Sequence, residues 1–345
     1  MAIRSVELVL GLAIVLVALH DAFTTVVVPG RSQSWLRAAL RMRQLSAPVW
    51  LKVIRRRKGR SRRLPNAFAP FLLVSATLTW VGLLFLGFGL MAHGLRTFYR
   101  PVIGTFLEAL YVAGSAVVTL GMSETDALGP ARWLTLGAGL SGLGVITAAV
   151  TFILSVQSAL HQRETGVLAL ASVAGAPATG IAILESYALI GCRDELPEFF
   201  RFWRLWCAAV LHSHVAYPIL AYFGSVDPES EWTCALTAVL DAATILECLT
   251  EDELKGPAML LHRAGSRTAA HIASVYQLSP KPQEIDPDTI DVLCGRLRAV
   301  GYPAVAPSHH AQARFAALRA DYAGRLAALA EHMGADLTPL LLQRD

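Results

Sequence analysis

The 345-residue sequence predicts an all-α membrane protein: three transmembrane helices, a short re-entrant helix with its return loop between the second and third, and an all-α cytosolic domain. Two observations carry this prediction. Hydrophobic residues make up 54% of the chain and charged residues only 16%, an apolar excess that a soluble chain of this length does not need. The excess is also uneven, since three runs near bilayer length fall before residue 161 and the remainder carries charges every few positions. The divisions that follow are an N-terminal span at 1–30, a basic loop at 31–66, a second membrane module at 67–160 and a helical domain at 161–345.

The first run, Val6 to Val28, reads VELVLGLAIVLVALHDAFTTVVV and stops at Pro29-Gly30. It is long enough to cross a bilayer, exceeds the apolar region of a signal peptide, and is followed by no small-x-small cleavage pattern. Arg31 to Pro65 then holds twelve Lys or Arg residues and no Asp or Glu, including RRRKGRSRR from Arg55 to Arg63. Positive charge in a short loop marks the cytoplasmic side, and residues 31–63 also suit anionic lipid headgroups. The net charge of +4 is concentrated there, so orientation explains it and nucleic acid is not an expected partner. The second run, Ala67 to Ala92, must therefore go outward, and Trp133 to Leu160 returns. Three crossings leave the C-terminal domain in the cytosol.

Between the second and third runs, PVIGTFLEALYVAGSAVV has Pro101 near a plausible helix start, followed by about sixteen helix-compatible residues. The segment is too short and too weakly apolar to cross and return. A helix reaching part-way into the membrane, with an extended return through TLGMSE, satisfies its length and composition. Such irregular backbone survives at membrane depth only where protein buries it or it lines a water-filled path.

At these residues the sequence resembles the pore module of the tetrameric potassium channel superfamily, whose filter reads Thr-Val-Gly-Tyr-Gly followed by Asp. The matching positions are Thr119, Leu120, Gly121, Met122, Ser123 and Glu124. The resemblance implies a re-entrant pore helix and filter loop, four copies around one axis, and backbone carbonyls of Thr119 to Met122 in place of a cation's hydration shell. It implies the Thr119 hydroxyl at the innermost site, Glu124 at the outer mouth, and a hinge glycine on the inner helix, for which Gly142 and Gly144 are the candidates. Close helix packing is the other reading of those glycines. The expected protein is thus a bacterial inner-membrane cation channel, a homotetramer passing potassium with no catalytic residue and no cofactor. Two departures, Met122 for the bracing aromatic and Ser123 for the second glycine, leave sodium as an alternative permeant ion. They also leave open a non-conducting sensor or scaffold with a degenerate pore.

Two ionisable residues, His20 and Asp21, lie within the first span, where a proton relay and structural packing are the alternatives and packing is favoured. Glu7, near the other end, is expected to reach the headgroups. In the second half, the inner helix continues through HQRETGVLALAS until Gly175 to Gly180 interrupts it. Trp206 to Phe223 is apolar enough to raise a fourth crossing, but His212, His214 and Pro218 favour a buried soluble helix. Asp227-Pro228 reads as a helix opening and Ser308 to His332 as one final helix. No alternating strand pattern, nucleotide-binding glycine motif or metal-ligand spacing occurs; the five cysteines include no C-x-x-C pair, and they read as reduced, mostly buried thiols.

Overall fold

The computed structural model describes residues 2–26, 63–121, 124–225, 230–251, 253–283 and 285–333. The chain forms two compact units, Met1–Val156 and Gln157–Asp345. Most of the basic loop, Met122, Ser123 and the Asp227-Pro228 pair lie outside the described residues.

The first unit is built on α1 (Ala2–Val26) and α2 (Arg63–Gly94). Three side-by-side pairs, Glu7 with His93, Gly11 with Gly87 and Asp21 with Trp80, show that they run antiparallel. The crossing point uses the absence of side chains: a Cβ on Gly11 would lie 2.5 Å from the Gly87 carbonyl oxygen, and one on Gly87 2.9 Å from that of Gly11. In a membrane, where lipid is as apolar as leucine, such close backbone approach supplies the packing energy. Gly11, Val15, Ala18 and Ala22 form the buried stripe of α1, at helical spacing. Asp21 is buried beside it and accepts a hydrogen bond from Trp80 Nε1 at 2.7 Å, which makes it a packing residue tying α1 to α2. Glu7 is drawn to His93 Nδ1 at 3.1 Å, and His93 Nε2 meets Arg96 at 3.2 Å. The expectation that Glu7 reaches the headgroups is corrected by that pairing.

After α2 come a two-residue strand β1 (Tyr99–Arg100), α3 (Phe106–Val117), β2 (Asp126–Ala127) and α4 (Pro130–Ala174). The strands pair antiparallel, Tyr99 opposite Ala127 and Arg100 opposite Asp126. No strand was expected, and this ladder closes the base of the loop that carries α3. The 45-residue α4 continues beyond Val156 into the second unit and stops at Gly175, whose φ of +75° a side chain would resist.

In the second unit, α5 (Gly180–Ile190), α6 (Leu196–Ala216), α7 (Trp232–Leu249), α8 (Lys255–Val275), α9 (Pro287–Ala299), α10 (His309–Ala320) and α11 (Ala323–His332) follow in order. Every residue of α7 is buried, and α5, α8, α10 and α11 pack on it. Four helices among the described residues are long and apolar enough to cross a membrane: α1, α2, α4 and α7. The fourth is α7 and not the Trp206–Phe223 segment, in which α6 ends at Ala216 and Pro218 starts a short 3-10 turn. Its own chain covers α7 on every side, the pattern of a core helix. The expected single helix from Ser308 to His332 is two helices, broken at Asp321-Tyr322 because Tyr322 turns inward to a buried carboxylate, Asp241, at 2.7 Å.

The two histidines of α6 separate as their spacing requires: His212 is exposed and His214 is 1% exposed against the Trp232 ring. Burial, reinforced by the nearby positive charge of Arg163 and opposed by a bond to the Val210 carbonyl, pushes His214 down to about 3. Between pH 6.5 and about 3 the unfolded chain binds a proton that the folded chain refuses, so this residue removes stability as pH falls. A His214→Gln variant is expected to lose less stability than the unsubstituted protein over that window, by roughly 1 kcal/mol per pH unit. Denaturation of both proteins as a function of pH checks the difference.

Candidate pore element

The short helix α3 begins later than Pro101, and the residues say why. Thr105 and Glu108 form a reciprocal capping box: Glu108 N–H donates to Thr105 Oγ1 at 3.2 Å, and Thr105 N–H donates to Glu108 Oε2 at 3.4 Å. Gly104 N–H adds a 2.7 Å bond to the same carboxylate. The sequence TFLE carries this signal openly, and it overrides the proline four residues earlier. Twelve residues of helix span only about 18 Å, well short of a bilayer.

The exit from α3 is equally specific. Leu120 N–H donates to the Ser115 carbonyl at 2.9 Å and Thr119 N–H to the Ala116 carbonyl at 2.9 Å, a Schellman ending with Thr119 in the left-handed position. Its φ is +57°, a conformation that costs a non-glycine residue about 1–2 kcal/mol. Gly121 follows at φ +63°, while Val118 has φ −86°. Thr119, Leu120 and Gly121 are all exposed, and no atom would meet a Cβ on Gly121 within 4 Å. Met122 and Ser123, the next two candidate filter residues, lie outside the described residues. Glu124 and Asp126 beyond them are exposed, and Arg132 turns its Nε–H to the Ala127 carbonyl at 3.0 Å.

Two helices hold this element. From α2, Gly89 accommodates Leu110, and Gly114 of α3 sits against the Phe85 ring. From α4, Gly142 receives the end of α3: a Cβ there would fall 1.8 Å from the Val117 carbonyl oxygen. Gly139 lies next to the Ala116 carbonyl, whereas Gly144 and Gly137 meet nothing within 4 Å. Gly142 is thus a close-packing position, and Gly144 stands apart from it on an open side.

The helix α4 has two faces at the same 3–4 spacing. Ala131, Ala138, Gly142, Val145, Ala149 and Val156 are buried, while Trp133, Leu136, Leu140, Leu143, Val150 and Leu154 are 51–77% exposed. On α3, Leu107 and Tyr111 are likewise exposed, one turn apart. Among the described residues no group of three or more His, Cys, Asp or Glu side chains could hold a metal ion. Among the described residues the return loop presents backbone, the hydroxyls of Thr119 and Thr125, and the carboxylates of Glu124 and Asp126.

The chain is similar to the uncharacterized membrane protein YdjJ of Bacillus subtilis (strain 168), at 22% identity over 279 residues that cover 76% of this chain and 77% of that protein. The match is longer than either unit, so it draws on both. No protein-family profile and no solved structure match. With a membrane protein as relative and three apolar helices that could cross a bilayer in the first unit, the chain is a helical membrane protein.

Removing either half of the capping box, by Thr105→Ala or Glu108→Ala, is expected to lower stability by about 1 kcal/mol. Gly142→Val is expected to cost more, because the Val117 carbonyl cannot retreat without unwinding the end of α3. Thermal denaturation in detergent ranks the three.

Proposed function

We propose that this protein is a cation channel in which four chains surround an axis and the Thr119–Ser123 loops form the ion pathway, with potassium as the principal permeant ion. The observation that carries the reading is the left-handed backbone at Thr119 and Gly121 in an exposed return from a helix too short to cross. Alternating sign of φ turns successive carbonyls toward one side, which is what replacing an ion's water shell requires. The small residues permit it at Gly121 and the Schellman bonds enforce it at Thr119.

Supporting features are the helices on either side and the unpartnered face of α4. Trp133, Leu136, Leu140, Leu143, Val150 and Leu154 repeat at the 3–4 spacing of a helix that packs against copies of itself. Glu124 would form a ring of carboxylates at the outer mouth, concentrating cations by charge alone. Gly142 locks the pore helix to the inner helix, so in this reading the bending position of α4 is Gly144, one turn-fraction away on the open side. The proposed orientation places residues 161–345 in the cytosol of a bacterial cell, with the basic loop 31–63 against anionic lipid of the inner membrane. Permeation needs no cofactor beyond the ion.

Flux through purified protein in liposomes tests this. Potassium flux that Gly121→Asp abolishes is the expected outcome, with sodium flux smaller. Equal flux from the Gly121→Asp variant would overturn the pathway, and no flux from verified tetramers carrying Gly144→Ala as well as from the unsubstituted protein would favour a non-conducting scaffold.

A further inference from the structure

Where α1 and α2 meet at Glu7, one imidazole stands between two opposite charges. His93 Nδ1 lies 3.1 Å from Glu7 Oε1, and His93 Nε2 lies 3.2 Å from Arg96 Nη1. A guanidinium only donates, so Nε2 must be the accepting nitrogen. The proton of the neutral ring therefore sits on Nδ1 and is donated to Glu7. This chain of bonds fixes a single tautomer, and it holds only while the ring is uncharged.

A proton added at Nε2 turns the acceptor into a donor facing a donor, and two positive groups then stand 3.2 Å apart. The Arg96 bond breaks. On the other side the same proton improves the contact, because Glu7 gains a cation at 3.1 Å in place of a neutral donor. The carboxylate has capacity for it: the Glu7 side chain is 18% exposed, and its Oε2 is buried with no hydrogen-bond partner. The other charged groups at this end are engaged elsewhere or face solvent. Arg100 Nη1 donates to the Thr97 and Tyr99 carbonyls, Glu108 is held in the capping box, Arg132 is on the Ala127 carbonyl, and Arg4, Glu124 and Asp126 are exposed.

What Arg96 holds is the base of the loop that carries α3. It opens the 3-10 turn Arg96–Phe98, in which Phe98 N–H donates to the Leu95 carbonyl at 2.8 Å and Tyr99 N–H to the Arg96 carbonyl. Tyr99 begins β1, and the Phe98 carbonyl receives the Leu128 N–H at 2.8 Å, just beyond β2. The Arg96 bond to His93 ties this turn to the last turn of α2. We propose that His93 is a proton-operated latch. Neutral, it ties the turn at 96–98 to the end of α2; protonated, it releases Arg96 and closes on Glu7, loosening the base of the α3 loop. The latch acts whether or not the protein conducts, and under the orientation proposed above it reads the pH of the outer side.

Hydrogen–deuterium exchange of the full chain in detergent, followed by mass spectrometry and corrected for the intrinsic pH dependence of exchange, tests the latch. Between about pH 8 and about pH 5.5 an imidazole ordinarily takes up a proton and a carboxylate ordinarily does not. The amides of residues 96–100 and Leu128 are expected to exchange at least about threefold faster at the lower pH, the order for one lost hydrogen bond. His93→Gln keeps an acceptor for Arg96 and a donor for Glu7 but cannot titrate, so it is expected to stay slow at both pH values. Arg96→Leu removes the tie and is expected to exchange fast at both. Nitrogen-15 NMR of histidine-labelled protein at the higher pH, with His93→Gln assigning the signal, is expected to show His93 carrying its proton on Nδ1. Unchanged exchange in the unsubstituted protein, acceleration that survives His93→Gln, slow exchange in Arg96→Leu at the higher pH, or a proton on Nε2 there would each overturn the latch, the second by assigning the pH response to another group.

Discussion

The contact between the Val117 carbonyl and Gly142 is the constraint on which the first unit depends. A helix that ends inside apolar surroundings exposes carbonyls that water would otherwise satisfy, and an unpaired one is costly. Here the chain solves the problem locally, with Leu120 and Thr119 donating back to Ser115 and Ala116, and then seals the end by laying a glycine of α4 directly on it. Any side chain at 142 would hold α4 away, leaving the turn at 118–121 without a wall. The loop's shape therefore depends on a residue more than twenty positions later in sequence.

The same logic of backbone approach joins α1 to α2. Gly11 and Gly87 let the two helices touch, and polar pairs sit to either side of the crossing, Glu7 with His93 and Asp21 with Trp80. A carboxylate in hydrocarbon without a donor is expensive, so each of these partners fixes the register along the helix as well as satisfying charge. A slide of α1 by one turn would part both pairs and bring side chains into the glycine crossing. The bond from Trp80 gives Asp21 a packing role between α1 and α2.

Much of this was legible before any coordinates. Apolar run length located α1, α2 and α4 to within a few residues, because a span is a property of composition summed over about twenty positions. The short helix is legible as too short to cross, but Pro101 suggests a start four residues before the Thr105–Glu108 capping box that actually sets it. The role of α7 was missed for a physical reason. A helix buried on all sides has no amphipathic period, and its interior polar residues, Thr233, Thr237, Asp241, Thr244 and Glu247, look like ordinary surface positions until their partners are known. Those partners are far away in sequence, Arg319 and Tyr322 for Asp241 and Arg314 for Glu247, and no local pattern announces them.

Thr119 brings the argument back to the loop. Glycine would take a φ of +57° at no steric cost, and Gly121 shows that the chain uses glycine two residues on. Threonine, β-branched and poorly suited to the left-handed region, is the more expensive choice by about 1–2 kcal/mol. Its backbone hydrogen bond to Ala116 would be equally available to glycine, and its side chain is exposed rather than packed in the core, so neither the helix ending nor the hydrophobic cluster requires it. What threonine alone offers at that position is a hydroxyl oxygen beside a carbonyl oxygen, both next to the close contact that anchors α3 on α4. Strain held at one residue by a rigid surround, in exchange for an oxygen that stability does not need, is what the proposed ion pathway would account for.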